Sequence, residues 1–584
     1  MASIFPERIT VVDVTPGLGL VETQSAELFT PDRPLRMAGG AELTSVTVAY
    51  ETYGELNAAK DNAVIVCHAL TGDAHAAGWH DGDKRPGWWS TLIGPGKAID
   101  TNRWFVISPN LLGGCQGTTG PSSVNPATGH VYGLDFPLLQ VRDFVTVHRA
   151  LLEHLGISRL HAAVGGSLGG MQVLQWALDF PDQLDQAIVI AASAGLTAQN
   201  IAFSAVAREA IMLDENFLGG RFAEQGKNPD IGLAVARMMA HITYLSEDAF
   251  TEKFGRAPQG ATSDPGFGVD FAVESYLRHQ GETFVSRFDA LTYLYLSRVM
   301  DYFDPFGDAT PPQISPQGPK ILVVSFDSDW RFATEHSLRI VKQLAARGAG
   351  VSFRQIHSPW GHDSFLLDVP DYLDTIRAFV EAEVSTGRAL RPDLRRIASQ
   401  VPRGSRVLDL GCGEGELLRH LARQGCVVTG VERDGAAMVE AIRAGVPVLG
   451  LDLDTQLDEF ADGSFDVVIL SRTLQAVMQP AEVLRQMSRI GDHLIVSMPN
   501  FAYWPHRLRL MSGDMPRSSD LPYRWYDTPN LHYATLASLE ALFDSLGLVT
   551  EKRYALSPSG RSVGAGANLR ASSAIYVLAS SRGS

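Results

Sequence analysis

The chain has 584 residues, 45% of them hydrophobic, and a formal net charge of -16; it is too long for one ordinary domain and apolar enough for more than one core. The acid excess argues against a general binder of nucleic acid or anionic membrane, whose phosphates are held by clustered Lys and Arg. The four cysteines (Cys67, Cys115, Cys412, Cys426) include no C-x-x-C pair, which argues against a disulfide framework or a structural zinc site. No signal-peptide pattern opens the chain and no apolar run is long enough to span a bilayer, so a cytoplasmic protein is expected.

Residues 1–40 are rich in Pro, Gly and polar residues, and the folded domain is expected to begin near TSVTVAYETY at 44–53, a β-branched and aromatic strand signal. Further strand signals are AVIVC (63–67), WFVIS (104–108), AAV before Gly165, AIVIA (187–191), KILVVSF (320–326) and VSFRQI (351–356). Helical patterns lie between several of them, for example at 141–155. Buried β runs alternating with helices predict a largely parallel sheet covered on both faces. Residues 197–303 break that rhythm and are mostly helical by pattern (IAFSAVAREAIML, GLAVARMMAHITYL, FAVESYLRHQ, FVSRFDALTYLYLSRV). They are expected to form a helical lid over the catalytic edge of the sheet. After a helix at 371–384, Ser385-Thr386-Gly387-Arg388 is the expected junction, which places one domain at 1–387 and a second at 388–584. The second has its own strand signals: RVLDL (406–410), CVVTGVE (426–432), FDVVIL (465–470), HLIVSM (493–498) and AIYVLA (574–579).

In the first domain, Gly165-Gly166-Ser167-Leu168-Gly169 joins a buried strand to a helical pattern. In such an elbow the glycines let strand and helix meet at a tight corner that lifts the serine hydroxyl above the sheet. A serine nucleophile needs a base and an acid that orients the base, in the chain order Ser, Asp, His for this kind of sheet. Asp329, beyond KILVVSF, and His362, beyond VSFRQI, fit that order, with Asp327 as the rival acid. Oxyanion donors are expected from the backbone N–H of Leu168 and from the loop at 68–73, at Leu70. These residues alone describe an α/β-hydrolase fold and leave a plain serine esterase open.

Seven blocks in order, VAYETYGELN, CHALTGDAH, SPNLLGGCQGTTGPSSVNPATG, YGLDFPLLQVRD, VGGSLGGMQVLQWA, ARMMAHITYLS and WGHDSFLL, resemble the MetX-type homoserine O-acyltransferases of methionine biosynthesis over about residues 25–382. The resemblance implies acyl transfer from an acyl-CoA to the hydroxyl of L-homoserine through an acyl-Ser167 intermediate, without a cofactor, in a homodimer formed through the lid. It also implies that Arg237 takes the substrate carboxylate and Asp363 its amine. Arg331, two residues beyond Asp329, matches the basic residue of succinyl-CoA users. An acetyl group would leave a buried guanidinium there without a partner, so succinyl-CoA is expected and acetyl-CoA is the alternative.

In the second domain, Asp409-Leu410-Gly411-Cys412-Gly413-Glu414-Gly415 lies between a strand and a helix, and Glu432 ends the next strand. The spacing suits a carboxylate on ribose hydroxyls but lacks the G-x-G-x-x-G of dinucleotide sites. It predicts a class I S-adenosylmethionine-methyltransferase-like, Rossmann-like fold, with Asp452 near the adenine. The stretches SFDVVILSRTLQAV, SMPNFAYWPHRLRL and LPYRWYDTPNLHYAT resemble the MetW family over about residues 390–584. That resemblance implies a module that contacts and activates the MetX-like domain, with an active methyltransferase as the alternative. Arg433 after Glu432, where an apolar residue is more usual, is a departure from that family's pattern.

Overall fold

The structure, a computed structural model, describes residues 17–259, 267–307, 313–315, 318–382 and 390–580. The contact pattern divides the chain into two compact units, residues 1–350 with 354–380 and residues 351–353 with 381–584; the strand that spans 351–356 continues the sheet of the first. The junction expected at 385–388 lies outside the described residues.

The first unit is built on eight strands: β1 (Gln24–Phe29), β2 (Val46–Tyr53), β3 (Ala63–Cys67), β4 (Phe105–Pro109), β5 (Leu160–Gly166), β6 (Leu184–Ile190), β7 (Lys320–Phe326) and β8 (Val351–Ile356), side by side in the order β1-β2-β4-β3-β5-β6-β7-β8. β1 and β4 flank β2 antiparallel, whereas β4-β3-β5-β6-β7 is parallel throughout. The parallel strands are buried on both faces, which is why AVIVC and KILVVSF read as unbroken apolar runs. Helix α1 (Val141–His154) and helix α2 (Leu168–Asp179) pack together, and α2 lies on β5 and β6.

The domain begins earlier than expected: β1 lies within the stretch assigned to irregular structure. Most of QSAELF is exposed or polar, and its order comes from pairing with β2, a contact its own pattern does not announce.

Between β6 and β7 the chain forms helices α3 (Ala198–Met212), α4 (Asp230–Tyr244), α5 (Glu247–Lys253), α6 (Ala272–Val285) and α7 (Ala290–Asp301). Thr197 Oγ1 accepts from Asn200 N–H and Ser246 Oγ from Ala249 N–H, so α3 and α5 start where a side chain satisfies a free amide. The pattern FVSRFDALTYLYLSRV, expected to continue as helix, is broken. Asp289 adopts an extended backbone and caps α7 by accepting from Thr292 N–H at 2.8 Å, leaving residues 286–289 as a link after α6. Helix α8 (Pro370–Val380) closes the unit.

The second unit contains β9 (Arg406–Leu410), helix α9 (Glu416–Arg423), β10 (Val427–Val431), β11 (Val448–Leu449), β12 (Phe465–Ser471), β13 (Gly491–Pro499), β14 (Leu548–Leu556) and β15 (Ser573–Ser580). The strand order is β11-β10-β9-β12-β13-β15-β14. The first five run parallel, and β15 is inserted antiparallel between β13 and the outermost β14. β14 went unread in the sequence because its middle, VTEKR, is exposed and charged, as suits an edge. Among the described residues no helix is long and apolar enough to cross a membrane.

Candidate active site

Ser167 stands between β5 and α2 with φ 58° and ψ -122°, a conformation that costs a non-glycine residue strain and is held by its surroundings. Its N–H donates to Ile190 O at 2.9 Å. The approach of helix to sheet is close enough that a Cβ on Gly169 would lie 2.0 Å from the Cys67 carbonyl oxygen. A glycine there is a packing requirement, and it is what the G-x-S-x-G spacing encodes.

The structure brings Ser167, His362 and Asp329 together. Ser167 Oγ–H donates to His362 Nε2 at 3.0 Å, and His362 Nδ1–H donates to Asp329 Oδ2 at 2.7 Å. The other Asp329 oxygen accepts from the N–H groups of Arg331 (3.0 Å) and Phe332 (2.9 Å). All three residues are buried, and the imidazole meets the Phe332 ring edge-on at a centroid distance of 5.1 Å. The rival acid Asp327 faces elsewhere, pairing with the exposed His357 at 2.5 Å. The arrangement can move a proton from serine to imidazole while a carboxylate holds the tautomer.

Leu168 opens α2, so its N–H precedes the helical ladder, and Leu70 sits in the loop after β3. Among the described residues neither N–H is spent on another backbone carbonyl. The Leu70 loop is braced from within: one nitrogen of the buried His68 lies 2.7 Å from Ala69 O, the other 3.0 Å from Asn110 Oδ1 and 3.1 Å from Leu111 N.

Arg331 is 7% exposed and does not point to solvent. Its guanidinium donates to Thr243 Oγ1 at 2.7 Å, lies 5.6 Å from the Tyr244 ring centroid, and makes no ion pair among the described residues. Arg237 on α4 donates to Thr71 Oγ1 at 3.4 Å and lies 4.7 Å above the Phe284 ring, also without a carboxylate in contact. Desolvation pushes Asp363 up to about 6, opposed by the pull of His362 and then of Arg237. Arg237 and Asp363 therefore feel each other's charge across a gap wider than an ion pair. The sequence reading missed Arg287, which lies in the link after α6 and donates to Thr71 O at 3.2 Å. The cap signal of Asp289, two residues on, was the available clue.

Among the described residues one cluster groups metal-ligand atoms, Glu51, His75 and His80. The buried Glu51 carboxylate already accepts from Thr23, Tyr53, His75 and His80, two donors on each oxygen. It reads as a self-contained brace of the first unit.

In the second unit, the turn of Gly411, Gly413 and Gly415 joins β9 to α9. A Cβ on Gly411 would lie 2.3 Å from Thr473 Oγ1, whereas the space beside Gly413 is open. Asp409 is buried with Oδ1 unpartnered, and burial, reinforced by Glu432, pushes it up to about 7. Glu432 accepts from Gly413 N–H at 2.8 Å and from the N–H groups of Arg433 and Asp434. Asp452 Oδ2 lies 3.4 Å from the Arg433 guanidinium. The open glycine turn and the orphaned carboxylate fit a bound nucleoside carrying an ammonium group, while Glu432 and Asp452 would have to exchange present partners for it.

The strand order and the strained serine beneath a helical insertion define an α/β-hydrolase fold, and the chain matches the model of that fold family over residues 62–369. Residues 391–578 match the model of methionine biosynthesis protein MetW. A homoserine O-succinyltransferase from Nocardioides sp. is 56% identical over 368 residues, 63% of this chain and all of that protein. A bifunctional methionine biosynthesis protein MetXA/MetW from Rhodopirellula baltica is 40% identical over 560 residues, 90% of this chain and 88% of that one. The crystal structure of homoserine O-acetyltransferase from Bacillus anthracis superposes with a TM-score of 0.57 at 27% identity, over 63% of this chain and all of that one. The chain belongs to the MetX-type homoserine O-acyltransferase family, in the form fused to a MetW domain.

Proposed function

We propose that the first domain transfers a succinyl group from succinyl-CoA to the side-chain hydroxyl of L-homoserine, in two steps through Ser167. His362 takes the Ser167 proton as Oγ attacks the thioester carbonyl. The N–H groups of Leu70 and Leu168 hold the oxyanion, and collapse expels the CoA thiolate, which takes the proton from His362. The homoserine hydroxyl then gives its proton to His362 and attacks the acyl carbon, and Ser167 leaves with that proton. Asp329 keeps the imidazole oriented throughout. Arg237 takes the homoserine carboxylate, Asp363 its ammonium group, and Arg331 the distal carboxylate of the succinyl group.

The observation that carries this reading over a plain esterase is the Arg237 and Asp363 pair, opposite charges within mutual influence but not in contact. Opposite charges that act on each other without pairing suit the two ends of a zwitterion, whereas an esterase needs neither. The test mixes purified protein with homoserine and each acyl-CoA. O-succinylhomoserine should form, and free acid released at the same rate with or without homoserine would refute the transferase reading.

The second domain is read as an S-adenosylmethionine-methyltransferase-like fold that activates the first, with residues 388–584 as its extent. Its support is a parallel five-strand core with an antiparallel strand inserted next to the edge, and a glycine turn beside an acid. S-adenosylmethionine, when bound, would supply an electrophilic methyl group; Asp409 would face its ammonium, Glu432 its ribose and Asp452 its adenine. Deleting residues 388–584 should lower acyl transfer, and unchanged activity would remove the activator role. A homodimer and contact between the domains belong to the same reading, and sedimentation and cross-linking test them. An enzyme that draws on acyl-CoA is placed in the cytoplasm.

A further inference from the structure

Two guanidinium groups converge on one loop residue and one ring. Arg237, from α4, donates to Thr71 Oγ1 at 3.4 Å, and Arg287, from the link before α7, donates to Thr71 O at 3.2 Å. Both lie over the Phe284 ring, at 4.7 Å and 5.1 Å from its centroid. Like charges so placed repel, and although Arg287 is exposed and partly screened by water, an anion between them offsets the repulsion where no protein carboxylate pairs with either. None does: among the described residues neither guanidinium makes an ion pair. The nearby acids act without contact, Asp73 on Arg287 and Asp363 on Arg237, while Asp289 caps α7. The local field is positive enough that burial, together with Arg237, Arg287 and Lys253, pushes His241 down to about 2.

We propose that Arg287 is a second binding residue for the carboxylate of the amino-acid acceptor, forming with Arg237 a two-guanidinium clamp that hangs on Thr71. The proposal rests on the homoserine reading above and adds a residue to it. A carboxylate offers about four lone-pair positions, and one planar fork fills only two. A second guanidinium takes the remaining edge and offsets the charge left by the first. Because Thr71 adjoins Leu70, the clamp ties acceptor binding to the loop that holds the oxyanion. Gln116 fixes the link from the other side, its Nε2 donating to Arg287 O at 2.6 Å. Arg287 also lines a cavity of about 240 Å³ with Gln116, Asn228 and Asp289. A donor's pantetheine arm could enter there, so a donor role is the rival outcome.

The experiment compares the full-length protein with R287Q and R287K in three measurements. In steady state the KM for homoserine should rise about tenfold to a hundredfold in R287Q and recover in part in R287K. In single turnover without homoserine, acyl-Ser167 formation followed by intact-protein mass should lose far less than homoserine turnover does. With 3-aminopropan-1-ol, which is homoserine without its carboxylate, R287Q should react nearly as well as the parent, so the advantage of homoserine over this amino alcohol shrinks. An unchanged homoserine KM would overturn the proposal. So would an equal loss with the amino alcohol, which would make Arg287 a prop of the loop, or a loss concentrated in acyl-enzyme formation, which would assign it to the donor. If the parent protein does not acylate homoserine at all, the functional reading fails instead.

Discussion

The backbone N–H of Arg331 donates to Oδ1 of Asp329 at 3.0 Å, while Oδ2 of the same carboxylate accepts from His362. The acid that orients the imidazole and the guanidinium assigned to the donor's carboxylate are thus set on one turn after β7. With Arg331 in the donor role proposed for it, donor choice and catalysis would share a backbone yet be separable at the side chain.

Replacing Arg331 with Leu should therefore change the donor without disturbing the triad. Removing a charge-assisted contact to the succinyl carboxylate costs about 2 kcal/mol, roughly thirtyfold. The ratio of kcat/KM for succinyl-CoA over acetyl-CoA should fall by about that factor, read with homoserine saturating. An unaltered ratio would detach Arg331 from donor selection.

The two acids after β7 make a direct comparison. D329N removes the acceptor of the His362 Nδ1 proton and should lower kcat by about three to four orders of magnitude. D327N touches only the contacts with the exposed His357 and with Ser358 N–H, neither of them in the triad, and should stay within about threefold. Similar losses in the two variants would mean that the triad acid is misassigned.

Asp363, with its pKa pushed up to about 6, predicts a pH dependence of acceptor binding. Above that value the carboxylate is charged and pairs with the ammonium group. As pH falls through it the group protonates and the pairing is lost, so at pH 5 homoserine should bind about tenfold more weakly than at pH 7. Calorimetry on S167A, where no reaction intervenes, measures this directly. D363N should bind more weakly and with a flat profile, and a steep profile in D363N would point to another group.

In the second domain, calorimetric titration of the full-length protein with S-adenosylmethionine should give heat. D409N should weaken binding about tenfold, since Asp409 keeps one unpartnered oxygen beside the glycine turn. R433A should tighten it a few-fold by freeing Asp452 from a surface pair of modest strength. Absence of heat with the fold intact would remove the cofactor from this domain.

Strands buried on both faces were legible because burial writes a nearly continuous apolar run, as in Ala63–Cys67 and Lys320–Phe326, and the more mixed Val351–Ile356 and Arg406–Leu410 also begin and end where the sequence pattern does. Strands Gln24–Phe29 and Leu548–Leu556 were not, because exposed strands keep polar residues and owe their order to a neighbour. Arg287 escaped for a related reason. A helical periodicity runs through residues 284–299, and only the cap at Asp289 ends one helix and starts another, turning Arg287 toward Thr71.

By itself the sequence determined the two α/β units, the serine elbow, and the chain order of serine, acid and histidine, because each is encoded over a few neighbouring residues by sterics and burial. Choosing Asp329 over Asp327 as the acid beside His362 depended on which carboxylate reaches the imidazole across 33 residues of chain. The burial of Arg331 without a carboxylate, and the meeting of Arg237 and Arg287 at Thr71, depended on elements distant in sequence. Such relations arise only when the sheet and the helical insertion pack, since local periodicity carries no information about which charges will be left without a counter-ion.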